Sequence, residues 1–149
     1  MPMTIREVAD DELSALLSLY AHLHPEDGTL PPDEAAPLWG TLRRDPNQHH
    51  LGAYQDGSLV ATCTLVVIPN LTRGGRPYGL IENVVTHPDF RQRGIGTAVL
   101  EHALQTAWKC GCYKVMLLTG SKTESTLRFY EKAGFERGVK TVFVVHPNT

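Results

Sequence analysis

One stretch, "YGLIENVVTHPDFRQRGIGTAVLEHALQTAWKCGCYKVMLLT", residues 78–119, constrains the fold more than any other. Its start is β-branched and partly alternating, so it reads as a long central strand ending near Pro88. From Ile95 the apolar period changes. Ile95, Val99, Ala103 and Ala107 form one helical row with Leu100, Leu104 and Trp108 beside it, while Thr97, Glu101, Gln105 and Lys109 can face water. "YKVMLLT" then predicts a fifth strand, apolar throughout its middle and therefore central in its sheet. A strand, a helix and a strand in that order form a βαβ crossover.

The remaining segments attach to this unit. "MTIREVA" reads as a first strand, followed by a helix capped by Asp10 or Asp11 and carrying Leu13, Leu16, Leu17, Tyr20 and Leu23 inward. "HLHPEDGTLPP" interrupts it as a loop long enough to be a substrate lid, and a second helix runs from Asp33 to Arg44. Asp56-Gly57 tolerates the positive φ angles of a tight hairpin and joins two strands. Glu124 to Ala133 predicts a short helix stopped by Gly134, and "GFERGVKTVFVVH" predicts one or two closing strands. The 149 residues suffice for one domain, 1–149, of mixed α+β class, with antiparallel hairpins first and the crossover after.

Composition removes several functions. A net charge of −2 argues against non-specific nucleic-acid binding, which needs a positive field to displace counterions. No apolar run approaches the roughly 18 residues of a membrane span, so no membrane partner is expected. The amino terminus is acidic where a signal peptide would be basic, and three cysteines are an odd number for disulfides, so a reducing cytoplasm is the expected setting. No CxxC or HxxxH spacing offers a metal site. Cys63, Cys110 and Cys112 have no evident histidine partner for covalent catalysis.

"RQRGIG", residues 91–96, is the most chemically pointed string. A glycine turn leading from a strand into a helix presents free backbone N–H groups at the positive end of the helix dipole. Gly94 and Gly96 allow close approach of a phosphate, and Arg91 and Arg93 add local positive charge. A dinucleotide-binding turn would want a third glycine where Val99 stands, and a Walker loop would end in Gly-Lys-Ser/Thr where Gly96-Thr97-Ala98 stands. An ordinary strand-to-helix turn remains open on these residues alone.

With "FYEKAGF", residues 129–135, the pattern resembles the GNAT N-acetyltransferase superfamily. Arg91, Gly94 and Gly96 match that family's Arg/Gln-x-x-Gly-x-Gly/Ala motif, and Tyr130 to Phe135 match its Tyr-Glu-Lys-x-Gly-Phe. The resemblance implies a three-layer fold with a mostly antiparallel six- or seven-stranded sheet and about four helices. It implies acetyl-coenzyme A as cosubstrate, with pyrophosphate on Arg91, Gln92, Arg93, Gly94, Ile95, Gly96 and Thr97. The pantetheine arm would pair with Val84, Val85 and Thr86 as an added strand does, beside a bulge that frees an N–H for the thioester carbonyl. Tyr130 falls where the family places its general acid; a phenol of pKa ~10 can protonate a thiolate of pKa ~8.5. Many relatives have Asn where Thr123 stands, whose hydroxyl can still hydrogen-bond, and Ser121 and Lys122 are near enough in sequence to reach the phosphates. No metal is implied.

For the base, Glu82 is the candidate, as a half-buried carboxylate on the central strand acting directly or through water; His22, His24, His49 and His50 are alternatives, and His87 is read as capping the strand exit. "IEN", "GCYKV" and "FYEKAGF" are locally similar to the glucosamine-6-phosphate N-acetyltransferase branch. Arg73 and Arg76, in "NLTRGGRPYG", could clamp an anionic acceptor or be a solvated loop tip. The expected function is acetyl transfer to the primary amine of a small molecule in a ternary complex, with homodimerisation through terminal strands. The alternative is a catalytically silent acyl-coenzyme A sensor or interaction module.

Overall fold

The computed structural model of the chain describes residues 2–148, and by backbone proximity they form two compact units, one up to Leu118 and one from Thr119 onward. In the first unit β1 (Met3–Glu7), β2 (Gln48–Gln55), β3 (Ser58–Ile68), β4 (Tyr78–Thr86) and β5 (Val115–Leu117) form one sheet in sequence order. The first four strands pair antiparallel; β4 and β5 pair parallel. Helices α1 (Leu13–Tyr20) and α2 (Pro32–Arg44) fall between β1 and β2, and α3 (Ile95–Lys109) makes the crossover from β4 to β5. The second unit contains α4 (Glu124–Lys132).

Strand alternation divides the sheet into two faces. His50, Thr64 and Glu82 share one cross-sheet rung. Trp39 of α2 meets the His50 ring edge-on at 5.1 Å, which places α2 over that face. Leu51, Ala61, Cys63, Leu65 and Ile81 alternate to the opposite face and are at most 1% exposed. The apolar row of α3, Ile95, Val99, Leu100, Ala103 and Ala107, is buried as its spacing predicts, and α3 lies against β2, β3 and β4. Truncating a buried Leu of this kind costs about 2–5 kcal/mol, because the transfer term and the cavity add.

The Asp56-Gly57 hairpin is as expected, with φ of 50° and 82°. The start of α1 is not. Neither Asp10 nor Asp11 caps it; a 3-10 turn over Asp10–Glu12 precedes the helix, and the Glu12 carboxylate accepts the Ala9 N–H at 2.7 Å. Asp10 is instead drawn to Arg43 of α2 at 2.7 Å, while its carbonyl accepts the Trp39 indole N–H. Glu12 also receives both Arg6 (2.8 and 3.1 Å) and the Tyr54 hydroxyl (3.0 Å). The Arg6 hydrogen bond is the main reason the Glu12 carboxyl is lowered to about 2, and burial, then the Glu12 carboxylate, raises the Tyr54 phenol to about 12.

Three further expectations are corrected. β5 is only three residues long and lies at the sheet edge, not its centre. Trp108 is 46% exposed, because the α3 row that includes Ala103 and Ala107 already fills the contact with the sheet. Among the described residues no strand follows α4, so the sheet has five strands where six or seven were expected. Phe143 and Val145 are each 92% exposed. Apolar β-branched residues favour a strand, but a strand exists only where an edge takes up its N–H and C=O groups.

Candidate active site

The site is built on an irregularity in β4. From Thr62 to Thr64 is two residues on β3, whereas their partners, Val85 and Glu82, are three apart on β4. The extra residue is a β-bulge, and Asn83 within it has φ 53°. Pairing with β5 ends at Ile81 and Leu117. Beyond that point the β5-facing edge of β4 is available for an amide-bearing chain to pair as an added strand. Val85 is buried and Val84 and Thr86 are half-buried along this stretch.

β4 leads through a 3-10 turn, Pro88–Phe90, into the glycine turn. Gly94 is the N-cap of α3 at φ 79°, and its carbonyl accepts the Ala98 N–H at 3.1 Å. The Ile95, Gly96 and Thr97 N–H groups stand in the first turn of a 15-residue helix, where no intrahelical carbonyl is available to them. Arg91 folds back so that Nε donates to the Thr86 carbonyl at 3.1 Å, and Arg93 lies over the Phe90 ring at 5.2 Å. Gln92, exposed, has φ 62°. Among the described residues four non-glycine residues have positive φ: Asp56 serves the β2–β3 hairpin, while Arg73, Asn83 and Gln92 lie in the segments read from sequence as functional, which fits the tendency of strained backbone to collect at such sites.

Glu82 sits one residue before the bulge residue, but it is exposed rather than half-buried. The apolar neighbours that suggested burial alternate to the other face. Arg73 and Arg76 are exposed in the β3–β4 loop, where Arg73 lies 5.7 Å from the Tyr113 ring centroid and Lys114 approaches the Tyr78 and Tyr113 rings.

The histidines separate by environment. His50 is buried, and desolvation, then Arg43, holds its pKa below the ordinary value. His49 pairs with Glu7 at 2.9 Å. His24, Glu26 and Asp27 bring three exposed ligand atoms within 4.8 Å of one another, an arrangement common without an ion. His87 accepts the Asp89 N–H at 3.1 Å through Nδ1 and so caps the 3-10 turn, as its position after β4 suggested. Sequence reasoning missed its ring contacts with His22 (4.9 Å) and Phe90 (5.8 Å), which join the α1–α2 loop to the glycine turn. Burial pushes the Cys63 thiol up to about 12, which disfavours a thiolate nucleophile there.

In the second unit α4 begins after Thr123, whose N–H donates to Ser121 Oγ at 3.3 Å; Thr123 and Lys122 are exposed. Tyr130 is half-buried with its ring 5.0 Å from that of Phe129. The helix ends as a Schellman motif: Gly134, at φ 105°, donates to Glu131 O and Phe135 donates to Tyr130 O. This explains the glycine and the following aromatic in "FYEKAGF" structurally.

A strand edge left free beyond a β-bulge and a glycine turn at a helix N-terminus suit an amide-bearing, anionic ligand, and comparison identifies the class of protein. Residues 13–135 match the Acetyltransferase (GNAT) family, and the chain belongs to that family. It is accordingly an acetyl-coenzyme A-dependent N-acetyltransferase. The chain is 35% identical over 134 residues to glucosamine 6-phosphate N-acetyltransferase of Trypanosoma brucei brucei, covering 89% of this chain and 88% of that one. A solved Agrobacterium tumefaciens structure assigned as an acetyltransferase superposes with a TM-score of 0.92 at 42% identity, covering 97% of this chain and 99% of that one. Glucosamine-6-phosphate N-acetyltransferase from Arabidopsis thaliana shares the fold, with a TM-score of 0.84 at 21% identity over 99% of this chain and 99% of that one. Among the described residues no helix is long and apolar enough to cross a membrane.

Proposed function

We propose that the chain acetylates the primary amine of a small anionic acceptor, an amino sugar phosphate being the best fit, by direct attack in a ternary complex. The observation that carries this reading is the β4 bulge at Asn83, placed between an exposed carboxylate, Glu82, and an edge that runs toward the helix N-terminus at Gly94. When bound, acetyl-coenzyme A supplies a thioester activated for acyl transfer. Val84, Val85 and Thr86 hold its amide-bearing arm, and the amides and side chains of Arg91 to Thr97 take its pyrophosphate. Thr123 adds a hydroxyl contact. Glu82 takes one proton from the acceptor ammonium, the freed amine attacks the thioester carbonyl to form the C–N bond as the C–S bond breaks, and Tyr130 gives its proton to the departing thiolate and is restored by the second proton that the nitrogen sheds. Arg73 and Arg76 hold the acceptor's anionic group, a role supported by the 35% identity to a glucosamine 6-phosphate N-acetyltransferase. The steps need no metal.

Residues 1–149 act as one catalytic domain in this reading, supported by the family match across 13–135. The exposed apolar run from Val142 to Val145 is suited to strand pairing in a homodimer, and three free cysteines, two of them buried, suit a reducing cytoplasm. Thiol release from acetyl-coenzyme A should be followed with glucosamine 6-phosphate, amino acids, polyamines and aminoglycosides. Fast release with glucosamine 6-phosphate is the expected result; none with any amine would sink the proposal and favour a silent binding module.

A further inference from the structure

The face of the sheet beneath α2 carries a polar rung that burial alone does not account for. Among the described residues the buried polar side chains are His50, Thr62 and Thr64. Thr62 is explained locally: its hydroxyl donates to the Leu51 carbonyl at 2.6 Å. Thr64, on the same strand and face and only 4% exposed, makes no such bond; the half-buried Tyr20 phenol of α1 approaches its Oγ1, but too loosely for a hydrogen bond of good geometry. An unpaired buried hydroxyl destabilises a fold, since it gives up water and receives nothing. Valine would fill the same space in this apolar strand without that cost.

Register shows what Thr64 stands beside. Its partner on β4 is Glu82, the last pairing before the bulge, and its partner on β2 is His50. Side chains directly opposite on one face have Cβ atoms about 4.5–5.5 Å apart, within reach of a hydroxyl-to-carboxylate hydrogen bond after a rotamer change of exposed Glu82.

We propose that Thr64 is a positioning residue for the acetyl-transfer reaction: its hydroxyl donates to the Glu82 carboxylate and holds it oriented to take the proton of the acceptor ammonium. The inference rests on the reading of Glu82 as the base. An ionised carboxylate accepts several hydrogen bonds, so one oxygen can be held by Thr64 while the other faces the amine. A stability cost retained next to a reacting group is the expected trade where function needs a polar atom.

The test compares Thr64→Val and Thr64→Ser in the full chain, each also combined with Glu82→Gln. Thr64→Val should raise Tm by about 2–4 °C, as expected for relief of about 1 kcal/mol, while lowering kcat about 10-fold, one hydrogen bond's worth, and leaving KM for acetyl-coenzyme A unchanged. Thr64→Ser, which keeps the hydroxyl, should retain most of the turnover. In the Glu82→Gln background Thr64→Val should have little further effect. Unchanged kcat in Thr64→Val, or an undiminished loss in the Glu82→Gln background, overturns the role of Thr64 while leaving acetyl transfer intact. No turnover by the unsubstituted protein with any amine overturns acetyl transfer, and this inference with it.

Discussion

Gly94→Ala tests the glycine turn directly, because the structure separates its two possible costs. A Cβ added at Gly94 meets nothing within 4 Å, so steric clash contributes nothing. The cost is the backbone: φ 79° and ψ 4° are left-handed, and an L-residue there loses roughly 1–2 kcal/mol relative to glycine. In a chain of this length each kcal/mol lowers Tm by about 2–4 °C, so a fall of about 2–8 °C is expected by calorimetry. If alanine relaxes out of the left-handed region, the N–H groups of Ile95 to Thr97 lose their common aim. Each bond to a charged phosphate contributes about 1.5–3 kcal/mol, so titration calorimetry should show coenzyme A binding weakened about 10- to 100-fold. Gly94→Asn should recover part of the Tm, since asparagine tolerates this conformation. A lowered Tm with unchanged coenzyme A affinity would refute the placement of the pyrophosphate on this turn; an unchanged Tm would refute the conformational argument itself.

Tyr130→Phe should lower kcat by about 10²–10⁴-fold with coenzyme A affinity unchanged, as loss of a general acid does; wild-type turnover would remove the phenol from the mechanism. Arg73→Ala with Arg76→Ala should raise KM for an anionic amine at least about 10-fold and leave a neutral amine unaffected, the loss of one charge-assisted contact being enough; equal losses for both would point to a loop-folding role. Glu12→Gln should destabilise the fold in urea at pH 7. The carboxyl is held at about 2 against an ordinary 4.5, so its contribution is complete above pH 4.5 and is lost as pH falls toward 2. Half-exposed Arg6 screens that contribution, which is put at about 1–2 kcal/mol. The two proteins should therefore converge in stability below pH 2, and a constant difference from pH 7 down would show that charge is not the cause.

The helical rows, the Asp56-Gly57 hairpin and the glycine turn were legible because each depends on local period or on a φ angle that few residues tolerate. Ile95, Val99, Ala103 and Ala107 are buried as their spacing requires, and Gly94 is left-handed where a turn needed it. What remained hidden depends on partners distant in the chain. Asp10 resembles a helix cap until Arg43 draws it away. Thr64 resembles an ordinary β-former until register sets it, buried and unpaired, beside Glu82. The apolar strings at 115–119 and 139–146 resemble core strands, yet a strand's existence and place are decided by which edges remain free. The sequence by itself determined the crossover, the glycine turn and the family; only the tertiary structure decided that β5 is an edge, that Glu82 faces solvent and that β4 bulges at Asn83. Local chemistry selects a residue's own backbone conformation, whereas burial and pairing are properties of the partners that folding brings to it.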